Sequence, residues 1–354
     1  MGKKTLFRNG LLAKLRRRVR SAGLGAFLVT GKEDICYLAG YYSEGAKLLV
    51  AGEDAPVYFI DRMNEELCRD RLKGLKLADI VAGSVNEKIK EHIKAKKLKK
   101  IGINEKLIQA FEYKSVLSGK GLRFRHVPGL LEDMREVKEQ QEITLLRKAA
   151  RQTVKIWKEI KKNLEPGMSE KEIADMIDVL VRALGYENSF PTIVAAGKNT
   201  AYPHAVPGSK RFKDKEHLLV DFGVRLEGYC SDLTRTYSKG RINRKIADFR
   251  DLVRSAHDQA IKMIKPGAVI GSVAEMVDIY FNNNSAGDYV LHGLGHGVGL
   301  NIHEKPLFRK GNRTRFKKGM VVTVEPGLYL PGIGGVREED MVLVTANGCE
   351  VLTR

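Results

Sequence analysis

One pattern recurs in the second part of this chain and limits what it can fold into: a long helix, a Pro-Gly pair, a second helix, then strand-rich sequence. The first copy runs from a helix predicted over 138–163 into L-E-P-G-M-S-E-K-E-I. There Ser169 and Glu172 form an S-x-x-E capping box that opens a helix reaching Gly185. The second copy has a helix over 244–264 followed by I-K-P-G-A-V-I-G-S-V-A-E-M-V-D-I, so Pro266-Gly267 echoes Pro166-Gly167. Neither helix pair can bury its apolar faces alone. The reading is an internal duplication, two helix–helix–sheet halves in one domain with any active site between them.

The chain ahead of this repeat follows another grammar. Short apolar runs (A-F-L-V-T, K-L-L-V-A, V-Y-F-I-D, I-G-I-N, F-R-H-V) alternate with helical stretches, a first helix ahead of them and others over 86–97 and 106–118. Strands interleaved with helices predict a small α/β domain. The pattern lapses between Pro128 and Lys138, which places the boundary between domains at 1–132 and 133–354. A length of 354 residues with 43% apolar residues suits two cores.

The net charge of +19 raises nucleic acid as a partner, because basic chains gain affinity by releasing counterions from phosphates. Eight of the first twenty residues are Lys or Arg, yet Leu11, Leu12, Leu15 and Val19 recur among them at helical spacing. This reads as a docked amphipathic helix with a solvated basic face, and nucleic acid is not the expected primary partner. The four cysteines are scattered without C-x-x-C spacing, and no run approaches the ~20 apolar residues of a membrane span. The basic start lacks the ~7–15-residue apolar stretch of a signal peptide. A cytoplasmic protein without membrane contact is expected.

Chemistry concentrates in two acidic hairpins. V-D-F-G-V-R-L-E-G-Y-C-S-D-L-T-R-T-Y (220–237) reads as strand, turn and strand, and a turn at Leu226-Glu227 would set Asp221 opposite Asp232. A second hairpin around Gly332 would likewise oppose Glu325 and Glu339. Facing carboxylates repel unless something positive lies between them. Two such pairs in duplicated halves point to a cation site whose oxygen donors favour hard or borderline metals. Between the hairpins, L-H-G-L-G-H-G-V-G-L-N-I-H-E carries glycine at 293, 295, 297 and 299. In an extended segment that leaves one bare face for close approach, with His292, Leu294, His296, Val298 and Leu300 sharing the other. Beside four carboxylates, His296 becomes a candidate ligand.

Taken together, V-D-F-G, S-D-L-T-R-T, G-H-G-V-G-L-N-I-H-E, V-E-P-G and G-V-R-E-E-D resemble the motifs of the pita-bread (M24) metallopeptidases, in the branch holding aminopeptidase P and prolidase. The resemblance spans the chain and implies a creatinase-type N-terminal domain before an α+β pita-bread domain with pseudo-twofold duplication. It implies two divalent ions per chain, Mn or Co foremost, with Zn or Fe as alternatives. Asp221 would chelate one ion, Asp232 and Glu339 would bridge both, and His296 and Glu325 would complete the other. A hydroxide bridging the metals would attack Xaa-Pro bonds, in dipeptides or at the N-terminus of longer peptides, with Glu325 shuttling the proton. His204 and His303 match the family's substrate-contacting histidines, and Arg337 would orient Glu339. A homodimer acting on proline-containing peptides is implied.

In one place the chain departs from the prolidases, many of which carry H-E-x-P-R: here His303-Glu304-Lys305-Pro306 is followed by Leu307. Arg309 or Lys305 is left to hold a dipeptide carboxylate, within a segment 305–318 that has seven Lys or Arg and no acid and is expected to overlook the cleft. The competing class is a non-catalytic pita-bread module binding nucleic acid or acidic proteins. Relatives of that kind have eroded ligands, whereas all five are present here.

Overall fold

The computed structural model describes residues 3–52, 54–77, 79–108 and 124–354. It divides into two compact units, Met1–Met134 and Arg135–Arg354. Among the described residues no helix is long and apolar enough to cross a membrane.

In the first unit a mixed sheet has the order β4-β3-β2-β1-β5-β6. Its strands are β1 (Ala26–Val29), β2 (Lys47–Ala51), β3 (Val57–Ile60), β4 (Asp79–Ala82), β5 (Ile101–Ile103) and β6 (Phe124–His126). Ala26, Leu28, Leu49, Val57, Phe59, Ile101 and Ile103 form a core with Ile89 and Ile93 of a covering helix, Val85–Ala95. The basic N-terminal helix, α1 (Lys3–Ser21), buries Leu11, Leu12, Leu15 and Val19, which is the face its apolar spacing marked. The helices Lys32–Ala39 and Glu65–Arg71 and strand β4 had too short a period to be legible in sequence. Beyond residue 108, the helix expected over 106–118 lies outside the described residues.

The second unit carries the duplication down to single hydrogen bonds. Its helices are α2 (Gln140–Lys162), α3 (Glu170–Ala183), α4 (Arg244–Met263) and α5 (Ile270–Asn283). Backbone N–H groups of Gly167, Glu170 and Lys171 donate to the carbonyls of Phe212, Lys210 and Gly208. In the other half those of Gly267, Ile270 and Gly271 donate to Phe316, Thr314 and Asn312. The guanidinium groups of Arg211 and Arg315 repeat the match, donating to the carbonyls of Gly167 at 2.6 Å and Gly267 at 2.7 Å. Each half has its own core, one around Ile156, Ile160, Ile173, Ile177 and Val220, the other around Phe249, Val253, Val273, Val277 and Val322.

Sheets from both halves bring the acidic hairpins to one place. Strands β7 (Glu187–Asn188), β8 (Ile193–Ala196), β9 (His217–Phe222), β10 (Val224–Leu226), β11 (Tyr229–Cys230) and β12 (Leu233–Ser238) form two three-stranded sheets, β12-β9-β8 and β11-β10-β7. The second half follows with β13 (Gly295–Gly297), β14 (Glu304–Phe308), β15 (Val321–Val324), β16 (Gly327–Leu330), β17 (Gly334–Arg337), β18 (Asp340–Val344) and β19 (Cys349–Val351).

The halves differ at one helix start. Ser169 accepts from the N–H of Glu172 at 3.1 Å, while Glu172 accepts from the N–H of Ser169 at 2.6 Å, completing the capping box; the matching N-cap, Val269, has no such bond. Ser169→Ala should lower the unfolding free energy of the second unit by about 1 kcal/mol in urea titration. An unchanged midpoint and slope would show the cap to be without energetic weight.

Candidate metal centre

The first hairpin turns one residue later than its sequence suggests. Leu226 pairs with Tyr229 around Glu227 (φ 49°) and Gly228 (φ 87°), a two-residue turn with both central residues left-handed. Asp221 therefore faces Thr234, not Asp232. The expected direct opposition is corrected to a diagonal one, because Gly228 and not Leu226 supplies the turn's backbone. The second hairpin keeps the expected register: Val324 pairs with Asp340 and Gly327 with Arg337, which sets Glu325 against Glu339 in the gap between the ladders. Pro326 has no N–H to continue the ladder there. Glu325 donates its N–H to Leu294 instead, and Glu339 crosses to the first half, donating to the Thr234 carbonyl at 3.1 Å.

The glycine run allows close approach, as its spacing implied. A Cβ at Gly295 would stand 2.3 Å from the Thr323 carbonyl oxygen, and one at Gly297 would stand 2.1 Å from that of Lys305. The side chains between do not share a single face: His292 and His296 line the cleft, while Leu294 joins the apolar core. Only Gly295–Gly297 is strand, and its pairing shifts between His296 and Gly297.

All five candidate ligands line one cleft of about 610 Å³. Asp232, His296 and Glu339 each offer a donor atom within 4.8 Å of the other two. Asp221, Asp232 and Glu339 are 7%, 4% and 2% exposed, so water does little to screen them. Two ionised carboxylates at that separation repel by about 3–4 kcal/mol at an effective dielectric of about 20. A single hydrogen bond contributes only about 1 kcal/mol net and does not offset this. Burial, then the neighbouring acids, hold Asp232 and Glu339 well above the usual carboxylate range. Burial also raises Asp221, against the lowering effect of Arg337. Glu325 goes the other way: its burial is outweighed by the hydrogen bond and charge of His296, 3.2 Å away, and its pKa falls to about 2.

The donor set fits a divalent cation. Asp221 Oδ2 accepts from Arg337 at 2.6 Å, but its buried Oδ1 has no hydrogen-bond partner. His296 Nδ1 lies 3.2 Å from the Gly297 carbonyl, which takes the proton on that nitrogen and turns Nε2 toward Asp232 and Glu325, where a cation would replace the proton that Nε2 shares with Glu325. Arg337 contacts Asp221 directly and reaches Glu339 only through Thr234, whose hydroxyl accepts from Arg337 Nε at 3.0 Å and donates to Glu339 Oε2 at 2.7 Å. Arg337 is thus placed to act on Glu339 through Thr234.

Both predicted substrate histidines, His204 and His303, stand exposed in the cleft lining, and the His303 ring meets His296 edge-on at 4.3 Å. Of the seven cations in 305–318 only Arg309 lines the cleft; Arg315 instead anchors the Pro-Gly turn. Four residues at the site escaped the sequence reading as participants: Thr234, Thr323, His292 and Tyr329. Thr323 accepts from the N–H of His296 at 3.0 Å and donates to Glu325 at 3.1 Å. His292 Nδ1 meets the Gly293 carbonyl at 2.8 Å, so Nε2 accepts from the Tyr329 hydroxyl at 2.8 Å, which accepts in turn from Arg337 at 2.9 Å. The period of two was a usable signal, since Thr234 and Thr323 each stand two residues from an acid.

Known proteins resemble this chain along nearly its whole length. Residues 144–346 match the model of metallopeptidase family M24, and residues 12–137 match the creatinase/prolidase N-terminal domain. An uncharacterized peptidase of Staphylococcus aureus is 31% identical, covering 97% of this chain and 98% of its own length. The structure is similar to an Xaa-Pro dipeptidase from Bacillus anthracis (TM-score 0.92, 30% identity, 98% of each chain). It is also similar to the prolidase from Pyrococcus horikoshii (0.89, 29%, 97% of each) and to an X-Pro aminopeptidase from Thermotoga maritima (0.86, 27%, 96% of this chain and 97% of that one).

A folded pKa raised above its unfolded value carries a sign: the native state is favoured below the unfolded value, about 4, and loses that advantage as pH rises toward the raised one. In metal-free protein, Glu339→Gln should therefore raise Tm over the wild type, by a margin that grows from about pH 4 to neutrality. A constant or negative margin in thermal melts would contradict the repulsion.

Proposed function

Since the chain belongs to metallopeptidase family M24, we propose that it hydrolyses Xaa-Pro bonds with two divalent ions, Mn or Co, held by Asp221, Asp232, His296, Glu325 and Glu339. The observation that carries this reading is one cleft with two kinds of lining. Buried carboxylates share it with Phe190, Pro191, Pro203, Val206 and Pro207, apolar residues suited to a proline ring. Bound cations would offset the carboxylate repulsion and supply the Lewis acidity that makes water a nucleophile near neutral pH.

The protein's own groups do the rest. Glu325, kept ionised, accepts a proton from the attacking water and returns it to the leaving nitrogen of proline. Burial lowers the His303 pKa, so His303 enters the reaction neutral and donates an N–H to the substrate carbonyl as negative charge develops. His204 contacts the substrate from the same lining. Thr234 and Arg337 hold the carboxylates apart at fixed angles, and Tyr329 and His292 hold Arg337. Arg309, whose side chain lines the cleft with Leu307, takes the carboxylate of an Xaa-Pro dipeptide. None of the four cysteines is in a disulfide, which suits a cytoplasmic enzyme. A homodimer completes the reading.

Chelation should abolish hydrolysis of Ala-Pro and of a longer Xaa-Pro peptide, and Mn or Co should restore it. Full activity of metal-stripped protein would sink the mechanism. Glu325→Gln should lower kcat by about 10²–10⁴-fold. Arg309→Ala should raise KM for dipeptides about tenfold and spare longer peptides, whose carboxylates lie elsewhere; equal effects on both would remove Arg309 from substrate recognition.

A further inference from the structure

His303 has no hydrogen bond to any described residue, only the edge contact with His296. Its placement therefore depends on the backbone that carries it. The next residue, Glu304, turns its side chain inward, 6% exposed, against two buried cations. Arg135 binds Oε1, and Lys138 Nζ lies 3.3 Å from Oε2. Oε1 also accepts the N–H of Asn301 at 2.9 Å, closing a ring around Ile302 and His303. Glycine at 299 is what admits this carboxylate, since a Cβ there would stand 2.5 Å from Glu304 Oε2. The same loop is tied from below, with the Cys230 N–H donating to the Gly299 carbonyl at 2.8 Å and Arg225 to that of Leu300 at 3.1 Å. Burial raises the Glu304 pKa, but Lys138 and Arg135 outweigh it, so the group stays ionised and holds both cations at neutral pH.

We propose that Glu304 is the positioning residue for His303: clamped by Arg135 and Lys138, its carboxylate closes the Asn301–Glu304 turn and fixes the imidazole over the cleft. This rests on the reading that His303 acts on substrate. Glutamine at 304 keeps the shape and one acceptor but cannot hold two buried cations. The turn then loosens, and small misplacement of a group acting in the transition state costs rate more than binding.

The test is a double-mutant cycle on the metal-loaded enzyme, using an Xaa-Pro peptide. Glu304→Gln should lower kcat about 10–100-fold, with KM and metal content little changed. In a His303→Ala background the same substitution should cost nothing further. A loss of similar size in both backgrounds, or full activity of Glu304→Gln, would overturn the assignment. Should Glu304→Gln fail to fold by circular dichroism, Lys138→Met takes its place in the cycle. It leaves Arg135 and Asn301 on the carboxylate, and the expected result is a smaller loss that again vanishes without His303. Full activity of Lys138→Met, or a loss that persists without His303, would then count against the proposal. The functional reading fails separately, through a wild type that cleaves no Xaa-Pro peptide or a fully active His303→Ala.

Discussion

Repulsion between buried carboxylates is the constraint on which the second unit depends. Asp221, Asp232 and Glu339 are placed where solvent cannot screen them, and Arg337 is the cation beside them, bonded to one. The arrangement costs stability wherever the acids ionise. A chain bears that cost for a gain elsewhere, and a cleft that gathers divalent cations next to apolar residues is such a gain. Several surrounding contacts follow from this need: Thr234 and Thr323 each bond a carboxylate and a second site group, and His296 is turned by the Gly297 carbonyl so that its Nε2 faces the acids.

The duplicated fold makes the cluster possible. Each half contributes one strand pair with an acid on either strand, and the halves share hydrogen bonds at equivalent positions. Phe212 and Phe316, Arg211 and Arg315, and Lys210 and Thr314 keep one constant spacing, and Asp221 and Glu325 keep the same one. Of the candidate ligands, Asp232, Glu325 and Glu339 stand at strand breaks, next to Ser231, Pro326 and Glu338, where the ladder gives way and a carboxylate can turn toward its neighbours, while Asp221 stays paired within β9. Gly295 and Gly297 then let the strand carrying His296 approach more closely than any side chain would permit.

Much of this was legible in the sequence, for identifiable reasons. The Pro-Gly echo and the Ser169 capping box have short-range causes and appear as read. The second hairpin's register could be fixed because its glycine-rich turn has one clear centre. The first could not, since either Leu226-Glu227 or Glu227-Gly228 makes a plausible tight turn and only the left-handed backbone at Gly228 decides. Roles carried by ordinary residues were harder to see. In V-V-T-V only the spacing of two residues to Glu325 hints at the role of Thr323, and Glu304 looked like part of a motif until its burial against Arg135 and Lys138 was visible. The basic stretch 305–318 misled for a related reason: charge composition does not say which side of a strand faces the cleft.

The most direct test of the account is calorimetric titration of the metal-free protein with Mn²⁺ at pH 7, repeated in buffers of different ionisation heat. If the carboxylates are held together against their repulsion for the sake of cations, two ions should bind per chain, and binding should expel protons from the acids whose pKa burial and crowding have raised. Absence of saturable binding, or binding with no proton release, would contradict it.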